Sequence, residues 1–305
     1  MGSFRISSLK VWRGGREILQ DISLEVASGE LVAMLAPNGS GKTTLMHAII
    51  EGAGVRGGSV VYEGEATRTG EREATRTGER EANAREVDGA NEVGARRSDG
   101  SSDGLALVGG ESCEVVDILS LPVFARSKFI AFVPQHFECV FDYSVLDFVL
   151  MGANNQLGLF ASPSGALRDC ALALLEDLGI VHLCNRSLFA LSGGQRQMVL
   201  LARALFQKSR VIFLDEPTAW LDLKNQSIFF EVLRSKIAQY NLCALINIHD
   251  PNLVCKYANK VVMIKNGKNL CAGSVGEVMN EENLSALYDM PVRVERVKGQ
   301  AFVMF

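Results

Sequence analysis

One stretch limits this chain more than any other: Ala36-Pro37-Asn38-Gly39-Ser40-Gly41-Lys42-Thr43-Thr44. Before it, Leu31-Val32-Ala33-Met34-Leu35 is an apolar run of the kind that forms a buried strand. After it, Leu45-Met46-His47-Ala48-Ile49-Ile50 reads as the opening of a helix. Strand, glycine-rich turn, lysine, hydroxyls and helix together predict a phosphate cradle. Backbone N–H groups would curl round a β-phosphate, Lys42 would reach the β- and γ-phosphates, and the Thr43 hydroxyl would ligate Mg²⁺. The pattern G-x-x-x-x-G-K-[ST] is met everywhere except its first position, which is Ala36.

A chain of 305 residues has room for at most two domains, and its apolar fraction of 48% supplies a full core. The net charge of -4 leaves no footprint for nucleic acid or for an anionic membrane. Seven scattered cysteines with no C-x-x-C pair suit a reducing compartment, and the close ligand pairs of a zinc site are missing. No apolar run approaches the roughly 20 residues a membrane-spanning helix needs, so work at a membrane would go through a partner.

Taken in order, Phe4–Ser7 and Ile22–Val26 alternate with period two and predict strands, with Trp12 between them. Trp12 reads either as a hairpin tryptophan or as a platform on which an adenine ring stacks. Gly57–Gly64 reads as a further hairpin. The eight letters ATRTGERE of residues 66–73 then recur at 74–81. The whole stretch 66–112 has too few large apolar residues to offset its ordering entropy and is expected to be a disordered surface insertion. Phe129–Val133 predicts a buried strand ending at Pro134-Gln135. Helices are expected over Ser144–Gly152 and Ser164–Leu178, and another is expected to start at the N-cap candidate Ser192. Val211–Leu214 predicts a strand running into Asp215-Glu216, and a helix follows over Asn225–Tyr240. Leu242–Ile248 predicts a strand ending at His249-Asp250, and Asn266-Gly267 predicts a tight hairpin. Alternating buried strands and helices predict an α/β fold with a largely parallel sheet.

Asp215 sits where a metal-positioning carboxylate would follow a strand, and Glu216 beside it could orient and deprotonate a water. Paired acids of this kind also occur on solvated turns. Ser192-Gly193-Gly194-Gln195 would expose a helix N-terminus whose N–H groups and dipole suit a γ-phosphate.

Leu191-Ser192-Gly193-Gly194-Gln195, upstream of an apolar strand ending Asp-Glu, resembles the signature of ABC-type ATPases, and the resemblance extends over nearly the whole chain outside the insertion. Ala36–Thr44 resembles the Walker A loop and Val211–Glu216 the Walker B strand. Gln135 falls at the Q-loop, Ala219-Trp220-Leu221-Asp222 at the D-loop, His249 at the switch position and Trp12 at the adenine-stacking aromatic. The resemblance implies a single P-loop NTPase domain over residues 1–305. It would have a RecA-like core sheet, an antiparallel β subdomain and an α-helical subdomain at about 137–190. It implies ATP and Mg²⁺ as ligands, with Thr43, Gln135 and Asp215 at the metal. It further implies a head-to-tail homodimer in which Ser192–Gln195 and Asp222 of one copy face the Walker A loop of the other.

Ser144–Gly152 and Leu157-Gly158-Leu159-Phe160 are similar to the ATPases of ferric-siderophore, haem and cobalamin importers. Trp220 stands where that subfamily usually has histidine. The implied partners are two membrane-spanning permease subunits and an extracytoplasmic solute-binding protein, with the ATPase peripheral on the cytoplasmic face of the membrane. Two other readings compete: a soluble ABC ATPase with no membrane partner, and a nucleotide-sensing module crippled by Ala36. If the backbone at Ala36 needs a positive φ, its Cβ would cost about 1 kcal/mol or more.

Overall fold

The computed structural model describes residues 2–65, 113–155 and 163–305. The insertion expected over 66–112 and the Leu157–Phe160 motif lie outside those residues. The chain forms β1 (Ser3–Arg13), β2 (Arg16–Ala27), β3 (Leu31–Leu35), α1 (Lys42–Glu51), β4 (Val55–Glu65), β5 (Cys113–Asp117), α2 (Val123–Arg126) and β6 (Ile130–Val133). There follow α3 (Val145–Leu150), α4 (Gly165–Asp177), α5 (Gly193–Phe206), β7 (Val211–Asp215), α6 (Leu223–Tyr240), β8 (Cys243–Asn247) and α7 (Pro251–Tyr257). The chain closes with β9 (Lys260–Lys265), β10 (Lys268–Ser274), α8 (Val275–Val278), α9 (Glu281–Tyr288), β11 (Arg293–Val297) and β12 (Gln300–Met304).

The strands pair in the order β5-β4-β1-β2-β10-β9-β3-β8-β7-β6. From β9 to β6 the pairing is parallel, and β5-β4-β1-β2 is antiparallel. The predicted α/β class therefore holds, with an antiparallel wing attached. Gly57–Gly64, expected to be a hairpin, is instead part of the single strand β4. Its partners are β1 and the distant β5, so the glycine pair Gly57-Gly58 makes no turn. Gly58 has φ +90°, and a Cβ there would lie 2.6 Å from the Ser7 and Ser8 carbonyl oxygens, so its glycine serves a close strand approach.

The two halves of the sheet meet at a narrow seam. β10 and β2 pair through Lys268 and Asp21 alone, and Gln20 N–H donates to Gly267 O at 2.8 Å. Gly267 has φ +74°, and an added Cβ would stand 2.4 Å from Ile18 O. Asn266 (φ 52°) and Gly267 form the tight turn the sequence predicts.

The central strands are buried on both faces, which explains their unbroken apolar runs. Along β3, Leu31, Ala33 and Leu35 enter one core with Ile212, Leu214, Ala244 and Ile246. Val32, Met34 and Ala36 enter the other, with Val211, Phe213 and Leu245. The first core continues into α3, α4, α5 and α6, and the second is closed by α1 and the antiparallel wing. The expected helix starts carry caps: Ser144 accepts from Asp147 N–H, Ser164 from Leu167 N–H, and Ser192 with Gln195 forms a reciprocal capping box. Arg126, buried at the end of α2, donates to Leu119 O, Leu121 O and the Ile49 carbonyl near the end of α1. Its guanidinium so fastens the segment after β5 to the helix that begins at the phosphate loop.

Candidate active site

β3, β6, β7 and β8 are parallel and adjacent, so their carboxyl ends open on one edge, where ligands bind in open α/β sheets. From β3 the chain turns through Pro37–Gly41 into α1. Gly39 (φ 77°) and Gly41 (φ 97°) are left-handed there, while Ala36 is not among the positive-φ residues. Ala36 is instead 1% exposed, with its methyl in the second core. The strain foreseen at that position is absent: the loop takes its left-handed turns further on, where glycine stands. A Cβ at Gly41 would press within 2.7 Å of Leu19 Cδ2, whereas one at Gly39 would meet nothing.

α1 starts with no side-chain cap and with no acid in its first turn, so its leading N–H groups are left to an anion. Lys42, 5% exposed, donates from Nζ to Ala36 O at 2.6 Å and to Pro37 O at 3.2 Å. Burial lowers its pKa to about 8, against the opposing pull of Glu216 and Asp215. Ser40 Oγ is buried with no hydrogen-bond partner among the described residues. A buried cation held by carbonyls, an orphaned hydroxyl and an uncapped helix start fit a polyphosphate.

Asp215 ends β7 at 2% exposure, and Asn247 at the end of β8 donates Nδ2–H to its Oδ1 at 2.6 Å. Glu216 follows with φ 45°, a conformation uncommon for a residue with a side chain of this kind and typical of functional sites. Its N–H donates to Asn247 O at 3.2 Å. Gln135 Nε2 donates to Glu216 Oε2 at 2.6 Å, and His249 Nε2 shares a hydrogen bond with Oε1. Three strand ends thus converge on one carboxylate.

A cavity of about 250 Å³ is lined by Asn38–Thr44, Glu216 and His249, and by Arg13 and Ile18 from the first hairpin; Asp215 and Gln135 do not line it. Sequence reasoning passed over Arg13 and Ile18; their only signal was adjacency to the Gly14-Gly15 turn beside Trp12. Trp12 itself is 41% exposed at the end of β1 and, like Ala36 and Pro37, does not line this cavity.

Ser192, Gly193, Gly194 and Gln195 are likewise outside it. They form the first turn of α5, beside the loop leading to α6: a Cβ on Gly193 would lie 3.6 Å from Trp220 O, and one on Gly194 3.1 Å from the Asn225 side chain. Asp222 caps α6, accepting from Asn225 N–H at 2.8 Å. Within one chain these residues make a second surface, apart from the Lys42 cavity.

Among the described residues no helix is long and apolar enough to cross a membrane, and no cluster of three His, Cys, Asp or Glu could hold a metal.

Comparison with known proteins gives the same picture. The ABC transporter family profile matches residues 19–89 and 114–219. The Helicobacter pylori "Probable iron chelatin transport ATP-binding protein" is 37% identical over 275 residues, covering 90% of this chain and 88% of its own. The Haemophilus influenzae molybdate import ATP-binding protein MolC is 37% identical over 199 residues, 62% of this chain and 78% of its own. Among solved structures, an inward-facing metal-chelate type ABC transporter superposes with a TM-score of 0.71 at 26% identity, covering all of this chain and 96% of the other. On the strength of that match and of the geometry at the sheet edge, this chain belongs to the ABC transporter family, as an ATP-binding and ATP-hydrolysing cassette.

Proposed function

We propose that this cassette powers an importer, driving uptake of an iron complex (siderophore or haem) or of cobalamin through two separate permease subunits. A solute-binding protein would deliver the solute from outside, and the cassette would work as a homodimer on the cytoplasmic face of the membrane. The observation that carries the chemistry is the convergence of Lys42, Asp215, Glu216, Gln135 and His249 at one sheet edge. The solute class is supported by the iron chelatin relative and by the metal-chelate type neighbour. The molybdate relative matches a smaller part of the chain.

In this reading the α1 N–H groups and Lys42 hold the β- and γ-phosphates, and Trp12 offers its exposed ring to the base. Glu216 accepts the proton of the attacking water, and Gln135 and His249 fix the carboxylate that must receive it. His249, 40% exposed, is free to turn from Glu216 toward the γ-phosphate. Ser192–Gln195 of a second copy closes the site from outside, and Asp222 lies on the same face.

The oxygen donors Thr43, Gln135 and Asp215 suit Mg²⁺, which keeps much of its water and needs no all-protein cage. Bound there it would neutralise charge on the phosphates. Asp215 is nearly sealed from solvent and is held by Asn247, so it would act on the ion through ordered water.

Affinity purification of the cassette from membranes tests the importer reading. A polytopic permease is expected to co-purify with it, and ATPase turnover of that complex to rise with the loaded binding protein. Recovery of soluble partners alone would refute it.

A further inference from the structure

We infer that Asn252 is a positioning residue for His249, acting by locking the start of α7 to the C-terminal hairpin. The inference rests on the reading of His249 as the group that meets the γ-phosphate.

Among the described residues β11 and β12 form a two-stranded sheet that pairs with no other strand, and such a hairpin is marginal in water without docking. Its tight turn places Lys298 (φ 51°) and Gly299 (φ 82°) in the left-handed region. Val294 and Val303 are opposite each other in its register. At this rung the backbone polar groups point outward on both edges, and side chains satisfy them. Val303 N–H donates to Asn252 Oδ1 at 2.8 Å, and Asn252 Nδ2 donates back to Val303 O at 3.1 Å. On the other edge Val294 N–H donates to Glu281 Oε1 at 3.0 Å. Asn252 so takes the place of a missing strand, on a helix rather than in a sheet. The valine it holds is buried in the same core as Val254 and Tyr257 of α7.

The link to the site is short and stiff. His249, Asp250, Pro251 and Asn252 are consecutive. Asp250 caps α7, accepting from Asn252 N–H at 2.8 Å, and Pro251 fixes φ at the first helical position. Upstream, Ile248 N–H is bonded to Met34 O at 3.3 Å. The imidazole is 40% exposed, so packing does not hold it. Its place is set by these two backbone anchors, one on β3 and one at the start of α7. Releasing the second lets the ring drift from Glu216.

The chain has four histidines, so the imidazole signals of His249 can be assigned by NMR through His249→Ala. In full-length Asn252→Ala those signals are expected to move while those of His47, His136 and His182 stay. Asn252→Asp keeps the acceptor for Val303 N–H and loses the donor, so it should move them less; it also decides the matter if the alanine variant does not fold. Turnover of Asn252→Ala should fall about tenfold in kcat, with KM for ATP within about twofold. In a His249→Ala background the same substitution should cost nothing more. Unmoved His249 signals, or an equal fractional loss in both backgrounds, would overturn the inference. Wild-type turnover in His249→Ala alone would instead mark failure of the role given to His249, a result distinct from unmoved signals.

Discussion

Gln135 and Glu216 are joined by a 2.6 Å hydrogen bond, Nε2 to Oε2, across 81 positions of sequence. It connects the ends of β6 and β7, and it ties the loop leading to α3 to the carboxylate proposed to receive the proton. Bonds to a charged acceptor are worth about 1.5–3 kcal/mol. Gln135→Ala is therefore expected to lower kcat by roughly tenfold or more, with a much smaller change in the dissociation constant of ATP. Steady-state kinetics beside equilibrium nucleotide titration would check this split.

Lys42 gives the site a pH dependence with a definite sign. Burial lowers its pKa to about 8, so the free site has lost half of this charge at that pH and loses the rest above it. A bound polyphosphate favours the charged form. ATP affinity should be flat below about pH 7.5 and then weaken by up to about tenfold per pH unit above 8. Folding stability runs the opposite way: between about 8 and the normal lysine range the unfolded chain holds the extra proton, so this group's contribution to stability rises with pH. Calorimetric titration of ATP from pH 7 to 9.5 tests the first statement.

Ala36→Gly restores the common first residue of the phosphate-loop pattern, yet it should not improve the enzyme. The Ala36 methyl is buried in a core, at a backbone position that needs no glycine. The substitution should cost about 1 kcal/mol of stability and leave KM for ATP unchanged. Thermal denaturation and ATPase assays on the purified variant would show both.

Lys236, 4% exposed on α6, pairs with the half-exposed Asp177 at the end of α4 and also donates to Gln239 Oε1 at 2.9 Å. This pair ties α4 to the core. Because Asp177 is 47% exposed, solvent screens the attraction, and Asp177→Ala should cost only about 1–2 kcal/mol. Adding Lys236→Met should recover most of that loss, since the lysine is the buried partner. Urea denaturation of the two variants is the check.

Legibility followed the reach of each signal. Local chemistry could be read directly: the cap Ser192, the helix starts at Ser144 and Ser164, the Asn266-Gly267 turn, and the unbroken apolar runs of β3, β7 and β8. β4 misled because Gly57-Gly58 looks like a turn, and only the approach of Ser7 and Ser8 from another strand shows why glycine is there. β11 and β12 escaped notice because Lys298-Gly299 is a weaker turn signal than Asn-Gly, and because side chains on helices, Asn252 of α7 and Glu281 of α9, bond their edges in place of a neighbouring strand. Arg13 and Ile18 were missed because entry to the cavity is a property of the folded hairpin. Ser192–Gln195 carried a clear motif, but one chain does not bring it to Lys42.

The central claim is that Glu216 takes the proton from the water that cleaves ATP. Glu216→Gln keeps the size of the side chain and removes its basicity. Single-turnover hydrolysis by this variant is predicted to fall by roughly 10²–10⁴-fold, while equilibrium binding of ATP stays at the wild-type level. Turnover within a few fold of wild type would contradict the account.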